Sequence, residues 1–152
     1  KYYGRHFVTE VPMPVKEIIP PSRLTKPINE ATVALVTDGG LVPKGNPYRM
    51  VPVNSVKFAQ YSINGKDSLA PEDYEVRHQG YDNTYVLEDP NRLVPVDSMR
   101  WMEKKGRIGR LFPRFFTTAG VMTTLENGKK FGKGIAEILK QEQVDAVILT
   151  ST

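Results

Sequence analysis

Two short runs of apolar and β-branched residues dictate most of what this chain can fold into. Thr32–Thr37 (TVALVT) shows no apolar–polar alternation, which is the mark of a strand buried on both faces. Val144–Leu149 (VDAVIL) has the same character. Between them lies the clearest helical period of the chain, Asn127–Gln141, with Phe131, Ile135, Ile138 and Leu139 on one face and Lys129, Lys133, Glu137 and Lys140 elsewhere. Gly132 and Gly134 each weaken that helix by about 1 kcal/mol relative to Ala, and are expected to let it pack closely on a sheet. Strand, helix and strand in this order predict an α/β fold, with a mainly parallel sheet flanked by helices.

The remaining segments fill in around this frame. Five prolines between Thr9 and Glu30 rule out regular helix or central strand there, so residues 1–30 are expected to form a Pro-rich N-terminal arm. Residues 31–152 then form the α/β domain, expected to be incomplete at its C-terminal end. Val56–Ile63 reads as a strand or short helix, with a hairpin turn at Ile63–Lys66. Tyr74, Val76 and His78 alternate with charged residues as a strand does, and Gly80–Pro90 reads as loop. Asp97 is the expected N-cap of a helix over Met99–Lys105 that Gly106 stops, and Ile108–Phe116 is expected to be a strand.

Composition narrows the function classes. The 152 residues include no cysteine, which excludes a structural disulfide and a thiolate metal site within them; no metal centre is expected. No apolar run approaches the roughly 20 residues that span a bilayer, and a soluble, cytoplasmic protein is expected. The net charge is only +4. The densest basic run, Lys104, Lys105, Arg107 and Arg110, suits the negative end of a helix, so no nucleic-acid partner is expected. Phe112, Phe115 and Phe116 read as strand core rather than a stacking platform.

Ligands of open α/β sheets bind beyond the carboxyl ends of the strands. Two segments fall there. One is Asp38–Pro47 (DGGLVPKGNP), where the Gly39–Gly40 turn leaves N–H groups open and Lys44 adds a positive charge, a combination suited to a carboxylate or phosphate. The other is Thr150–Ser151–Thr152. The position after Thr152 is the expected reacting position of the sheet, where the dipole of a following helix lowers the pKa of a thiol or selenol. A third candidate, His78–Asn83 (HQGYDN), gathers a His, a Tyr and an Asp in one Gly-containing loop, and His78 can act as acid or base near neutral pH.

These residues also carry a resemblance. VALVTDGGLVPKGNP, HQGYDN, RLVPVDSMR, GRIGRLF and VDAVILTST resemble the selenoprotein subunit of component B of glycine, sarcosine and betaine reductases, from about Val11 to Thr152. A related D-proline reductase subunit shares the pattern of His78, Gly80, Tyr81 and Asp82 but lacks the LVPKGNP segment. The resemblance implies a selenocysteine directly after Thr152, followed by cysteines, in a polypeptide longer at both ends. It implies reductive C–N cleavage in anaerobic amino-acid fermentation. The chemistry needs no cofactor in this chain; a partner subunit of component B carries a pyruvoyl group that holds the small amino-acid substrate. The selenolate takes the carboxymethyl group and passes it to the selenoprotein of component A.

Within this resemblance, His78, Asp82, Thr150, Ser151 and Thr152 are the expected catalytic positions, and Gly39, Gly40, Lys44 and Tyr81 the expected substrate contacts. The 152 residues alone are expected to be inactive. Two other readings compete: a non-enzymatic α/β domain that holds a small anionic ligand, and a scaffold for partner subunits. An in-frame UGA after the Thr152 codon favours the enzyme, and a sense codon without downstream cysteines favours the binder.

Overall fold

The structure, a computed structural model, describes residues 18–20 and 22–152. Most of the expected N-terminal arm lies outside these residues, as do His6 and the aromatic residues near the start of the chain.

β1 (Thr32–Thr37) is the centre of a four-stranded sheet. It pairs in parallel with β5 (Arg110–Thr117) on one side and β6 (Ala146–Thr150) on the other. β3 (Ala59–Ser62) adds an antiparallel edge to β5, giving the order β3-β5-β1-β6. The mainly parallel α/β fold expected from the two apolar runs is therefore present. β2 (Leu41–Pro43) and β4 (Tyr74–Val76) form a second, two-stranded antiparallel sheet.

The missing alternation in β1 has a direct cause. Val33 and Leu35 enter one core with Leu111, Phe115 and the second sheet, whereas Ala34 and Val36 enter another with Phe112, Phe116, Ile135 and Leu139. Successive side chains of a strand point to opposite faces, and here both faces are covered. α3 (Leu125–Gln141) covers the second core, and α1 (Thr84–Glu88) and α2 (Val96–Lys104) contribute Val86, Val96 and Met99 to the first. All three phenylalanines of β5 are buried, as expected of core.

Local chemistry sets the element ends. The Thr124 hydroxyl caps α3 by accepting the Asn127 N–H at 3.2 Å. A Cβ at Gly134 would meet the Phe58 ring at 2.9 Å, so this glycine permits the close packing expected of it; the space beside Gly132 is open. Gly106, at φ +63°, ends α2. Pro113 sits in β5 because the register with β1 shifts there, between Val33 and Leu35, and an irregularity spares the strand the N–H that proline lacks.

Several expectations need correction. β6 is not buried on both faces: only β1 pairs with it among the described residues, and Leu149 is 76% exposed. Val147 and Leu149 instead line an apolar hollow of about 270 Å³ with Val36, Gly132, Ile135, Ala136 and Leu139. The turn at Ile63–Lys66 closes, with the Lys66 N–H on the Ile63 carbonyl at 3.1 Å, but it makes no hairpin. β3 joins β5, while β4 joins the other sheet. α1 interrupts the loop expected over Gly80–Pro90. α2 starts at Val96, one residue before the expected cap Asp97, whose carboxylate takes the Ser98 N–H inside the first turn.

Replacing Phe116 by Ala is expected to cost this chain about 3–5 kcal/mol in urea unfolding. Leu149→Ala, at an exposed position, is expected to change stability by less than about 0.5 kcal/mol.

Candidate functional site

Because β1, β5 and β6 run parallel, their carboxyl ends converge on one edge of the sheet. Asp38 leaves β1 there, Thr118–Gly120 leave β5, and Thr150–Thr152 end β6. Backbone hydrogen bonds lock the three ends together. The Asp38 N–H donates to the Thr150 carbonyl at 3.3 Å, the Gly120 N–H to the Asp38 carbonyl at 3.2 Å, and the Gly40 N–H to the Thr118 carbonyl at 3.0 Å.

The segment after β4 crosses this edge. The Arg77 N–H donates to the Gly40 carbonyl at 2.7 Å, and the Tyr81 hydroxyl donates to the Gly39 carbonyl at 3.0 Å. Two glycines make the approach possible. Gly40 has φ +69°, and a Cβ on it would stand 2.4 Å from the Arg77 carbonyl oxygen. A Cβ on Gly39 would overlap the Leu93 side chain at 2.6 Å and Thr152 Cγ2 at 2.9 Å.

Asp38, His78, Tyr81, Ser151 and Thr152 are thereby gathered at one edge. The Ser151 hydroxyl donates to Asp38 Oδ2 at 3.0 Å. Among the described residues, Asp38 Oδ1 is buried without a hydrogen-bond partner, as is Thr118 Oγ1. His78 is 8% exposed, and its Nδ1 accepts the Gly80 N–H at 3.1 Å, so the neutral ring carries its proton on Nε2. Burial holds the imidazole below its usual pKa, with the Asp38 charge opposing. Burial, helped by Asp38, pushes the Tyr81 phenol up to about 12. The two rings pack with centroids 5.1 Å apart.

Not every expected site residue belongs to this cluster. The Gly39 and Gly40 N–H groups are taken by Thr37 Oγ1 and the Thr118 carbonyl. Asp82 is exposed, and its carboxylate accepts the Thr84 hydroxyl at 2.7 Å and the Thr84 N–H at 3.0 Å, which hold it below the usual carboxylate range. Lys44 lies at the opposite end of β2 and lines a separate depression of about 430 Å³ with Tyr61, Lys66, Asp73 and Tyr74. Thr150 Oγ1 turns back to the Val36 carbonyl at 3.5 Å.

Sequence reasoning held Asp38 only as the first residue of the Asp38–Pro47 segment, with no role of its own, and gave Gly120 none. The signal for Asp38 was its place between a buried strand and a glycine pair; Gly120 had only its place just after β5. Among the described residues no group of three or more His, Asp or Glu side chains is arranged to hold a metal ion, and no helix is long and apolar enough to cross a membrane.

The fold is that of an α/β domain whose Asp38, buried His78 and Tyr81 gather at the carboxyl edge of its parallel strands. The whole chain, residues 1–152, matches the family model of glycine/sarcosine/betaine reductase selenoprotein B, and it belongs to that family. It is 47% identical over its full length to the glycine reductase complex component B subunit gamma of Carboxydothermus hydrogenoformans. It is 42% and 37% identical to the sarcosine and betaine reductase complex component B subunits beta of Peptoclostridium acidaminophilum. In each case the chain spans 35% of the relative's length. No solved structure matches it.

The His78 geometry predicts a pH dependence of stability. Its folded pKa lies below the usual 6.5, so between those values the unfolded chain binds the extra proton and stability rises with pH. Stability is expected to fall as pH drops below about 6.5, and His78→Gln is expected to remove that component. The depressed carboxyls of Asp82 and Asp145 lose their contributions in a lower window, below their usual 3.8. Thermal unfolding of both chains from pH 7.5 to 4.5 measures the difference.

Proposed function

We propose that this chain is the part of an amino-acid reductase's component B selenoprotein subunit that builds one wall of the reacting centre. The observation that carries this reading is the convergence of Asp38, His78, Tyr81, Ser151 and Thr152 at the carboxyl ends of β1, β5 and β6. The substrate class is glycine or an N-methylated glycine, and the reaction is reductive cleavage of its C–N bond. The partners are the pyruvoyl-bearing subunits of component B and the selenoprotein of component A.

A selenocysteine after Thr152 supplies an easily ionised, soft nucleophile for the α-carbon. Thr152 lies against Gly39 and the Ser151 hydroxyl donates to Asp38 Oδ2, so a side chain after Thr152 starts from the edge where the three strand ends meet. Tyr81 stays neutral and ties the His78 segment to the Gly39 carbonyl. His78 stays neutral and offers its Nε2–H to the nitrogen end of the substrate, where electron density grows as the C–N bond opens.

The test uses the complete subunit assembled with its partner subunits and a dithiol reductant. Release of ammonia from glycine, methylamine from sarcosine or trimethylamine from betaine is expected. His78→Ala is expected to slow that release by about 10²–10³-fold, the cost of removing one such donor, while the assembly stays folded. Failure to release an amine from any of the three substrates contradicts the reading.

A further inference from the structure

β6 leaves two kinds of group open. Among the described residues only β1 pairs with it. The Asp38 N–H donates to the Thr150 carbonyl at 3.3 Å, so the backbone groups of Thr150 and Ile148 face β1. Those of Val147 and Leu149 alternate with them and point away from the sheet. The side chains of Val147 and Leu149 are also exposed, and they border the hollow of about 270 Å³ beside α3. The α3 side of that hollow is low. Gly132 and Ala136 are exposed, and a Cβ on Gly132 would meet nothing within 4 Å. Helical spacing places Lys129, Lys133 and Lys140 on its outer flank, and they form no ion pair among the described residues.

Topology says where further chain would run. The connection from β1 to β5 carries α1, α2 and the second sheet over one face of the main sheet. The connection from β5 to β6 runs the opposite way across the sheet and carries α3 over the other face. Opposite directions on opposite faces give both crossovers one hand, and parallel crossovers share one hand in about 98% of cases. A strand added beyond β6 continues the direction of β5 to β6. Its connection therefore falls on the face of α3, where the hollow lies. The relatives carry chain to supply it, since these residues span 35% of their length. A second copy joined edge to edge at β6 would instead bring its own Lys129, Lys133 and Lys140 against these.

We propose that, in the complete subunit, the stretch after Thr152 forms an amphipathic helix that fills the hollow beside α3, followed by a strand that pairs in parallel with β6. The helix turns an apolar stripe to Val147, Leu149, Gly132 and Ala136, and acidic residues to Lys129, Lys133 and Lys140. Its first turn lies at the carboxyl edge beside Ser151 and Thr152, where free N–H groups and the helix dipole favour an anion. The proposal goes beyond the reductase reading and does not rest on its chemistry.

Two measurements on the complete subunit, without its partner subunits, test this. In native hydrogen exchange the Val147 and Leu149 amides are expected to exchange at least about 100-fold more slowly than open amides, as members of a central strand. With the photoreactive p-benzoylphenylalanine in place of Leu149, irradiation, digestion and mass spectrometry are expected to find the main adduct on a peptide that follows Thr152. Exchange at the open rate overturns the proposal. So does a main adduct on a peptide ahead of residue 18 or on a second copy, the absence of any adduct, or protection that arises only when the partner subunits are added. An assembly that releases no amine sinks the reductase reading and leaves these two results unaffected.

Discussion

Parallel pairing of β1 with both β5 and β6 is the constraint on which the rest of the structure depends. It buries β1 on both faces and forces its neighbours to be reached by crossovers. It also brings three strand ends to one edge. At the opposite end the pairing is pinned by Asp145, whose carboxylate accepts the Thr32 N–H at 2.8 Å and whose N–H donates to the Thr32 carbonyl at 2.9 Å. Lys26 closes on the same carboxylate at 2.9 Å. With the start of β6 fixed, Thr150–Thr152 have little choice but to emerge beside Asp38.

The edge so formed is costly as structure. Among the described residues, buried oxygens of Asp38, Thr117 and Thr118 lack partners, and an unsatisfied buried polar group costs on the order of 1–3 kcal/mol. The glycines at 39, 40 and 80 remove the side chains that would hold the β4 segment away. Burial then holds His78 and Tyr81 in their neutral forms beside one carboxylate.

Legibility from sequence followed the physics of each element. β1, β5 and α3 were readable because burial and helical period leave strong patterns in Thr32–Thr37, Ile108–Phe116 and Asn127–Gln141. The exposure of β6 was not, because an edge and a central strand can share the same apolar composition. The short helix at Thr84–Glu88 was hidden by its loop-like setting. His78, Tyr81, Gly39, Ser151 and Thr152 were legible as site candidates from their places at strand ends and in one loop. Lys44 and Asp82 looked equally suitable by residue type, but tertiary structure sends Lys44 to the far end of β2 and ties Asp82 to Thr84.

The most direct measurement is a crystal structure of the complete subunit, assembled with its partners, with the amino-acid substrate bound. The substrate nitrogen is predicted to lie within about 4 Å of His78 Nε2. A substrate seated instead in the depression of Lys44, Tyr61 and Tyr74 would contradict a reacting centre at the carboxyl edge.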